Sequence, residues 1–95
     1  TKAAQRIAFN KWLNNGQICI APDYVLVQKS VADQFLELLK ETITQYYGAD
    51  AEKSESYNRI VNHRHFQRLQ GYLQDAVAKG ARITFGGKTQ AEQDY

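Results

Sequence analysis

Apolar residues recur at helical spacing at the start of the chain. In residues 2–14 they lie three and four positions apart, which predicts an amphipathic helix with one apolar face. That face contains Ala3, Ala4, Ile7, Ala8, Trp12 and Leu13. Asn14, Asn15 and Gly16 are expected to end the helix, because Asn and Gly tolerate the left-handed backbone found at helix ends.

A second helix is predicted after residue 30. Ser30 and Asp33 resemble a capping box with Asp in the place of Glu. The apolar stripe that follows contains Val31, Phe35, Leu38, Leu39, Ile43 and Tyr46. Gly48 is expected to end this helix, and the polar residues 49–59 are predicted to form a loop. For Tyr57, within that loop, the expected role is loop packing.

A third helix is predicted after Asn62, which is a suitable N-cap residue. Its apolar stripe contains Phe66, Leu69, Leu73, Ala76 and Val77, and Gly80 is expected to end it. Gly71 lies in the helix interior, where glycine costs about 1 kcal/mol relative to alanine. We therefore expect another part of the protein to pack closely against Gly71.

Two short runs have the composition of strands. Tyr24 to Val27 follows Pro22, and Arg82 to Phe85 precedes Gly86 and Gly87. Strands separated by helices predict an α/β fold with parallel strands, in the order helix–loop–strand–helix–helix–strand. Because a stable sheet normally needs three or more strands, the sequence indicates part of a larger domain.

Composition narrows the function classes. The 95 residues suit one small domain or a piece of a larger one, and the net charge of +2 is spread among mixed charges. This argues against a nucleic-acid surface. No apolar run approaches the roughly 20 residues that cross a bilayer, so no membrane segment is predicted. With a single cysteine, an internal disulfide is excluded and a reducing, cytoplasmic location is expected.

The single cysteine, Cys19, lies in the stretch NNGQICIAPDY. A lone cysteine between two isoleucines is most often a buried filler, because free cysteine is among the most buried residue types. However, Cys19 falls in a helix-to-strand connection, where α/β proteins place their chemistry. The residue types alone leave both hypotheses open.

A nucleophilic cysteine needs a base or positive surroundings, because the thiolate is the reactive form. His63 and His65 are the candidate bases in this chain, so a thiol hydrolase built on Cys19 and one of them is an alternative. The same histidines with Cys19 and Asp23 lack any repeating ligand spacing. No metal site is predicted.

The stretch around Cys19 resembles the active-site motif of the NAD(P)-dependent aldehyde dehydrogenases. In that family a helix ends in Asn, one residue and Gly-Gln, and the nucleophilic cysteine follows one residue later. Here these positions are Asn14, Gly16, Gln17 and Cys19. The segments APDYVLV, YYG, NRIVNHRHFQRLQGYL and FGG extend the resemblance along the whole chain, toward the class 3 branch of fatty, aromatic and coniferyl-type aldehyde dehydrogenases.

The resemblance implies a catalytic role for Cys19. Its thiolate would attack an aldehyde, the resulting thiohemiacetal would be oxidised to a thioester by NAD or NADP, and water would release the acid. The backbone N–H of Cys19 would hold part of the oxyanion. Asn14, Gly16 and Gln17 would shape the loop.

Other parts of the family pattern are absent from the sequence. These are the Glu-Leu-Gly-Gly base motif, the glycine-rich coenzyme segment and the Glu-x-Phe-Gly-Pro element. We therefore expect residues 1–95 to be a partial catalytic domain, inactive alone, whose coenzyme site lies outside this chain. The parent is expected to be a homo-oligomer. The alternative is a non-enzymatic α/β module that self-associates or binds a partner through exposed apolar helix faces.

Overall fold

A computed structural model describes residues 2–90. The chain divides into two compact units, Thr1–Asn58 and Arg59–Tyr95. The first contains α1 (Lys2–Trp12) and α2 (Ala32–Tyr47), and the second contains α3 (His63–Ala78). Short 3₁₀ turns span Leu13–Gly16, Lys29–Val31 and Ala51–Lys53. Across the described range, none of the helices has the length and apolar character needed to traverse a bilayer.

The core of the first unit lies between α1 and α2. Ala8 of α1 is completely buried and meets Ile43 and Tyr47 of α2. Four partly buried residues pack around them: Trp12, Leu39, Ala51 and Tyr57. Ala4 and Ala8 are both small and buried, and at Ala8 the small side chain allows α1 to approach α2 closely. The predicted apolar face of α1 is thus the face that packs, although Ala3 and Leu13 at its edge are exposed.

The ends of α2 confirm one prediction and correct another. The backbone N–H of Gly48, which has φ +79°, donates to Thr44 O at 2.8 Å, so Gly48 ends the helix as expected. The predicted capping box at Ser30 and Asp33 is wrong. Ser30 lies within a 3₁₀ turn, and the N-cap residue is Val31, which gives no side-chain cap.

Both ends of α3 were predicted correctly. Asn62 Oδ1 accepts from the His65 N–H at 2.9 Å. At the other end, Gly80 has φ +97°, its N–H donates to Val77 O, and the Ala81 N–H donates to Ala76 O at 2.9 Å. This pair of bonds is the Schellman arrangement. Among residues 2–90 the packing expected at Gly71 is absent, because a Cβ there would meet nothing within 4 Å.

The predicted parallel α/β sheet is wrong for this chain, because residues 2–90 contain no strand. Tyr24 to Val27 and Arg82 to Phe85 have no regular secondary structure, and Tyr24 and Leu26 are 79% and 89% exposed. Strand composition reflects fit to a pleated, half-buried surface and not an independent backbone preference. A strand also needs a neighbour with which to exchange backbone hydrogen bonds, and neither run has one among the described residues.

Candidate active site around Cys19

The candidate site begins where α1 ends. Asn14 (φ 51°, ψ 37°) and Asn15 (φ 55°, ψ 36°) are both left-handed, and Gly16 follows with φ 76°. We call Asn14–Gly16 the asparagine turn. It confirms the prediction that these three residues stop the helix by adopting left-handed backbone.

Gln17 closes the asparagine turn. Its backbone N–H donates to Asn14 O at 3.1 Å, and its side-chain Nε2 donates to the same carbonyl at 2.9 Å. Gly16 is confined from the other side, because a Cβ on it would lie 3.2 Å from the carbonyl oxygen of Lys11. The motif residues Asn14, Gly16 and Gln17 are therefore brought together in one turn.

Cys19 lies in the next turn along the chain. The Ala21 N–H donates to Ile18 O at 3.0 Å, which places Cys19 and Ile20 at the two central positions of a four-residue turn. We call Ile18–Ala21 the cysteine turn. Cys19 is a free thiol and is exposed, so the hypothesis of a buried filler is wrong for this structure.

The asparagine turn is held by two residues that the sequence did not identify. Tyr57 Oη donates to Asn15 Oδ1 at 2.5 Å, and Asn58 Nδ2 donates to Asn14 Oδ1. We call these two hydrogen bonds the brace. They join positions 42 and 44 residues apart, so no local sequence pattern could have indicated them.

Tyr57 is attached to the core of the first unit. Its ring meets the ring of buried Tyr47 edge to face, with centroids 5.3 Å apart and planes at 77°. Burial of the phenol, together with the neighbouring Tyr47, raises the pKa of Tyr57 above the ordinary tyrosine value. Tyr57 therefore stays neutral at physiological pH, and its O–H remains a donor to Asn15.

The two candidate bases lie in the second unit. The His63 ring stacks near Phe66, with centroids 6.0 Å apart. His65 Nδ1 accepts from Arg68 Nε at 3.2 Å, so this lone pair already has a partner. Among residues 2–90, no three His, Cys, Asp or Glu side chains are grouped so that they could hold a metal ion.

Comparison with known proteins gives the family. The aldehyde dehydrogenase family model matches residues 1–95. A bovine dimeric NADP-preferring aldehyde dehydrogenase is 44% identical over 98% of this chain and 37% of its own length. Mouse aldehyde dehydrogenase family 3 member A2 is also 44% identical, and this chain covers 18% of it. The 4,4'-diaponeurosporen-aldehyde dehydrogenase of Staphylococcus aureus is 41% identical, with 20% covered.

A solved structure agrees with these relatives. The structure described as the substrate-bound state of Staphylococcus aureus AldH matches 98% of this chain and 20% of its own, with a TM-score of 0.91 and 40% identity. This chain thus spans between about a fifth and somewhat over a third of the length of these relatives. The resemblance to the class 3 branch is confirmed by the family 3 relatives. The chain belongs to the aldehyde dehydrogenase family.

Proposed function

We propose that this chain is the cysteine-bearing segment of an NAD(P)-dependent aldehyde dehydrogenase and that Cys19 is its nucleophile. The observation that carries the proposal is the exposure of Cys19 in a turn directly after the ordered Asn14-Asn15-Gly16-Gln17 sequence, in a chain whose full length matches the family. The names of the bovine and canine relatives describe them as dimeric and NADP-preferring. For the whole protein we propose NADP or NAD as coenzyme and a homo-oligomeric state.

The chemistry begins at the Cys19 sulfur. Its thiolate forms a bond to the aldehyde carbon while the carbonyl electron pair moves to oxygen, giving a thiohemiacetal oxyanion. The Cys19 N–H donates to no acceptor within residues 2–90, which leaves it available to hold that oxyanion. Oxidation to the thioester and hydrolysis of its S–C bond then yield the carboxylic acid and restore the thiol.

The coenzyme would accept the hydride in the oxidation. The described residues do not form a binding site for it. Dinucleotide sites place a glycine-rich turn immediately before a helix, whose first N–H groups bind phosphate. Neither α2 nor α3 is preceded by glycine, and the first turn of α3 is capped by Asn62. We therefore place the coenzyme site, like the general base, outside residues 2–90, and we expect the 95-residue chain alone to produce no NAD(P)H.

A chimera tests the proposal. The matching fifth of the Staphylococcus aureus aldehyde dehydrogenase would be replaced by this chain, and NAD(P)H formation measured with an aldehyde. We expect activity in the chimera and a loss on the order of a thousandfold or more in Cys19→Ser, because removal of a nucleophile abolishes the covalent route. Ala49→Ser, at an exposed loop position in the same unit, is the matched control and should keep full activity.

Coenzyme binding and thermal melting would show that each chimera is folded. A folded chimera without activity, or a Cys19→Ser variant with more than about a tenth of the activity of its parent, would contradict the proposal. If the whole graft does not fold, a graft of residues 14–22 alone asks the same question of Cys19.

A further inference from the structure

We infer that Tyr57 and Asn58 are positioning residues for Cys19, acting through the asparagine turn. The inference rests on the proposed role of Cys19 as the nucleophile. It names two residues that lie far from Cys19 in sequence and belong to no part of the cysteine motif.

The asparagine turn needs external support. Asn14 and Asn15 are consecutive left-handed residues, a conformation that L-residues rarely adopt and that is found at single positions more often than in pairs. The brace gives each of them one side-chain hydrogen bond to a donor outside the turn, Asn58 for Asn14 and Tyr57 for Asn15. The two neighbouring residues Tyr57 and Asn58 therefore hold both left-handed asparagines.

One donor of the brace, Tyr57, packs against the hydrophobic core of the first unit. The Tyr57 ring is partly buried against Tyr47, which itself packs with Ala8 and Ile43. Packing of the ring consequently fixes the position of the Tyr57 hydroxyl, which is the donor to Asn15. Asn15 is thereby tied to the packed interface of α1 and α2.

Gln17 links the asparagine turn to Cys19, so the position of the turn affects the position of Cys19. Both the main-chain N–H and the side-chain amide of Gln17 donate to Asn14 O. Only Ile18 separates Gln17 from Cys19. A displacement of Asn14 or Asn15 therefore moves the start of the cysteine turn, and a nucleophile displaced by about 1 Å can lose on the order of a hundredfold in rate.

Hydrogen exchange in the 95-residue chain tests the brace without any activity assay. The probe is the Gln17 amide, whose acceptor is Asn14 O. Tyr57→Phe keeps the ring packing and removes the donor, so we expect Gln17 to exchange about fivefold faster, as for loss of one hydrogen bond. The amide of Ile43 in α2 should be unchanged. Asn58→Ala should also speed exchange at Gln17.

Tyr46→Phe is the matched control, because Tyr46 also meets Tyr47 edge to face but is not part of the brace. It should leave the Gln17 amide unchanged. Equal acceleration at Gln17 and Ile43 in Tyr57→Phe would mean general destabilisation and would overturn the inference. An unchanged Gln17 amide in both Tyr57→Phe and Asn58→Ala would overturn it as well.

The chimeric enzyme tests whether the brace positions the nucleophile. With rates normalised to titrated Cys19 thiol, Tyr57→Phe should lower kcat about tenfold and leave KM for the coenzyme unchanged. In an Asn15→Gly background, which retains a left-handed residue without the acceptor, Tyr57→Phe should have no further effect on kcat. A full additional loss there would show that Tyr57 does not act through Asn15 and would overturn the inference.

The two proposals fail separately. Faster exchange at Gln17 with an unchanged kcat would overturn the positioning role and leave Cys19 as the nucleophile. Activity of Cys19→Ser above about a tenth of that of its parent would overturn the proposed function, and with it the positioning role, whatever the exchange data show about the brace itself.

Discussion

At the scale of single residues, three neighbours share a left-handed backbone for different reasons. Gly16 has no Cβ, so φ 76° is not strained for it. Asn14 and Asn15 have short polar side chains that reach partners at residues 58 and 57. The asparagine turn is thus stabilised by the hydrogen bonds of its asparagine side chains as well as by the tolerance of Asn and Gly for left-handed backbone.

Gly16→Ala is expected to destabilise the first unit by about 1–2 kcal/mol, because alanine is strained in left-handed backbone. Its Cβ would also lie 3.2 Å from Lys11 O. Urea unfolding measures the change. Gly71→Ala is the matched control of opposite sign: it has open space in α3 and should stabilise that helix by about 0.5–1 kcal/mol. A stable Gly16→Ala variant would show that the loop backbone differs from the one described.

The site was only partly predictable at this scale. The stop at Asn14–Gly16 followed from the tolerance of Asn and Gly for positive φ, and the family motif identified Cys19 as a candidate nucleophile. Tyr57 was expected only to pack in its loop, and its bond to Asn15 was not foreseen. The reason is distance along the chain, because a contact between residues 42 positions apart leaves no periodic signal.

At the scale of elements, the contact between α1 and α2 depends on a small residue. Ala8 is fully buried beside Ile43 and Tyr47, whereas Ala3 on the same helix is exposed. The two alanines have the same helix propensity and differ only in what surrounds them.

Ala8→Leu should destabilise the first unit by about 1–3 kcal/mol, because a larger side chain overfills a packed interface. Ala3→Leu is the matched control and should change stability by no more than about 0.5 kcal/mol. Circular dichroism during urea unfolding measures both. Equal effects of the two substitutions would contradict the packing described for α1.

Helices were predictable here and strands were not. A helix satisfies its backbone hydrogen bonds internally, so the spacing in α1, α2 and α3 and stops such as Gly48 and Gly80 sufficed. The run from Tyr24 to Val27 has strand composition, but its state depends on a neighbouring strand that local sequence cannot supply. The prediction of a cap at Ser30 failed because Ser30 itself lies within a 3₁₀ turn, Lys29–Val31.

At the scale of the whole molecule, tyrosine ionisation contributes to the response of stability to alkaline pH. Burial, and then the neighbouring tyrosine, raises the pKa of both Tyr47 and Tyr57. The folded state therefore keeps these phenols neutral at pH values where the unfolded chain ionises them. The stability they contribute is complete below pH about 10 and is lost as pH rises through the raised pKa values.

The free energy of unfolding, measured in urea from pH 8 upward, should fall above pH about 10. Tyr57→Phe removes one of the two tyrosine hydroxyls, so its free energy of unfolding should fall less steeply with pH. The difference in free energy of unfolding between the unsubstituted chain and Tyr57→Phe should therefore become smaller as the pH rises. Because the lysines titrate in both proteins, the difference between the two curves isolates Tyr57. If the unsubstituted chain instead became increasingly more stable than Tyr57→Phe as the pH rises, the raised pKa of Tyr57 would be contradicted.

The brace also suggests an order in which parts of the structure form. Its two bonds span 42 and 44 residues, and closing a long loop costs more chain entropy than forming a helical turn. We expect them to form once packing of α1 on α2 has brought the two segments close. During folding, α1 and α2 can therefore be complete while the chain around Cys19 still lacks its final shape, so helix content alone is a poor measure of whether the thiol is correctly presented.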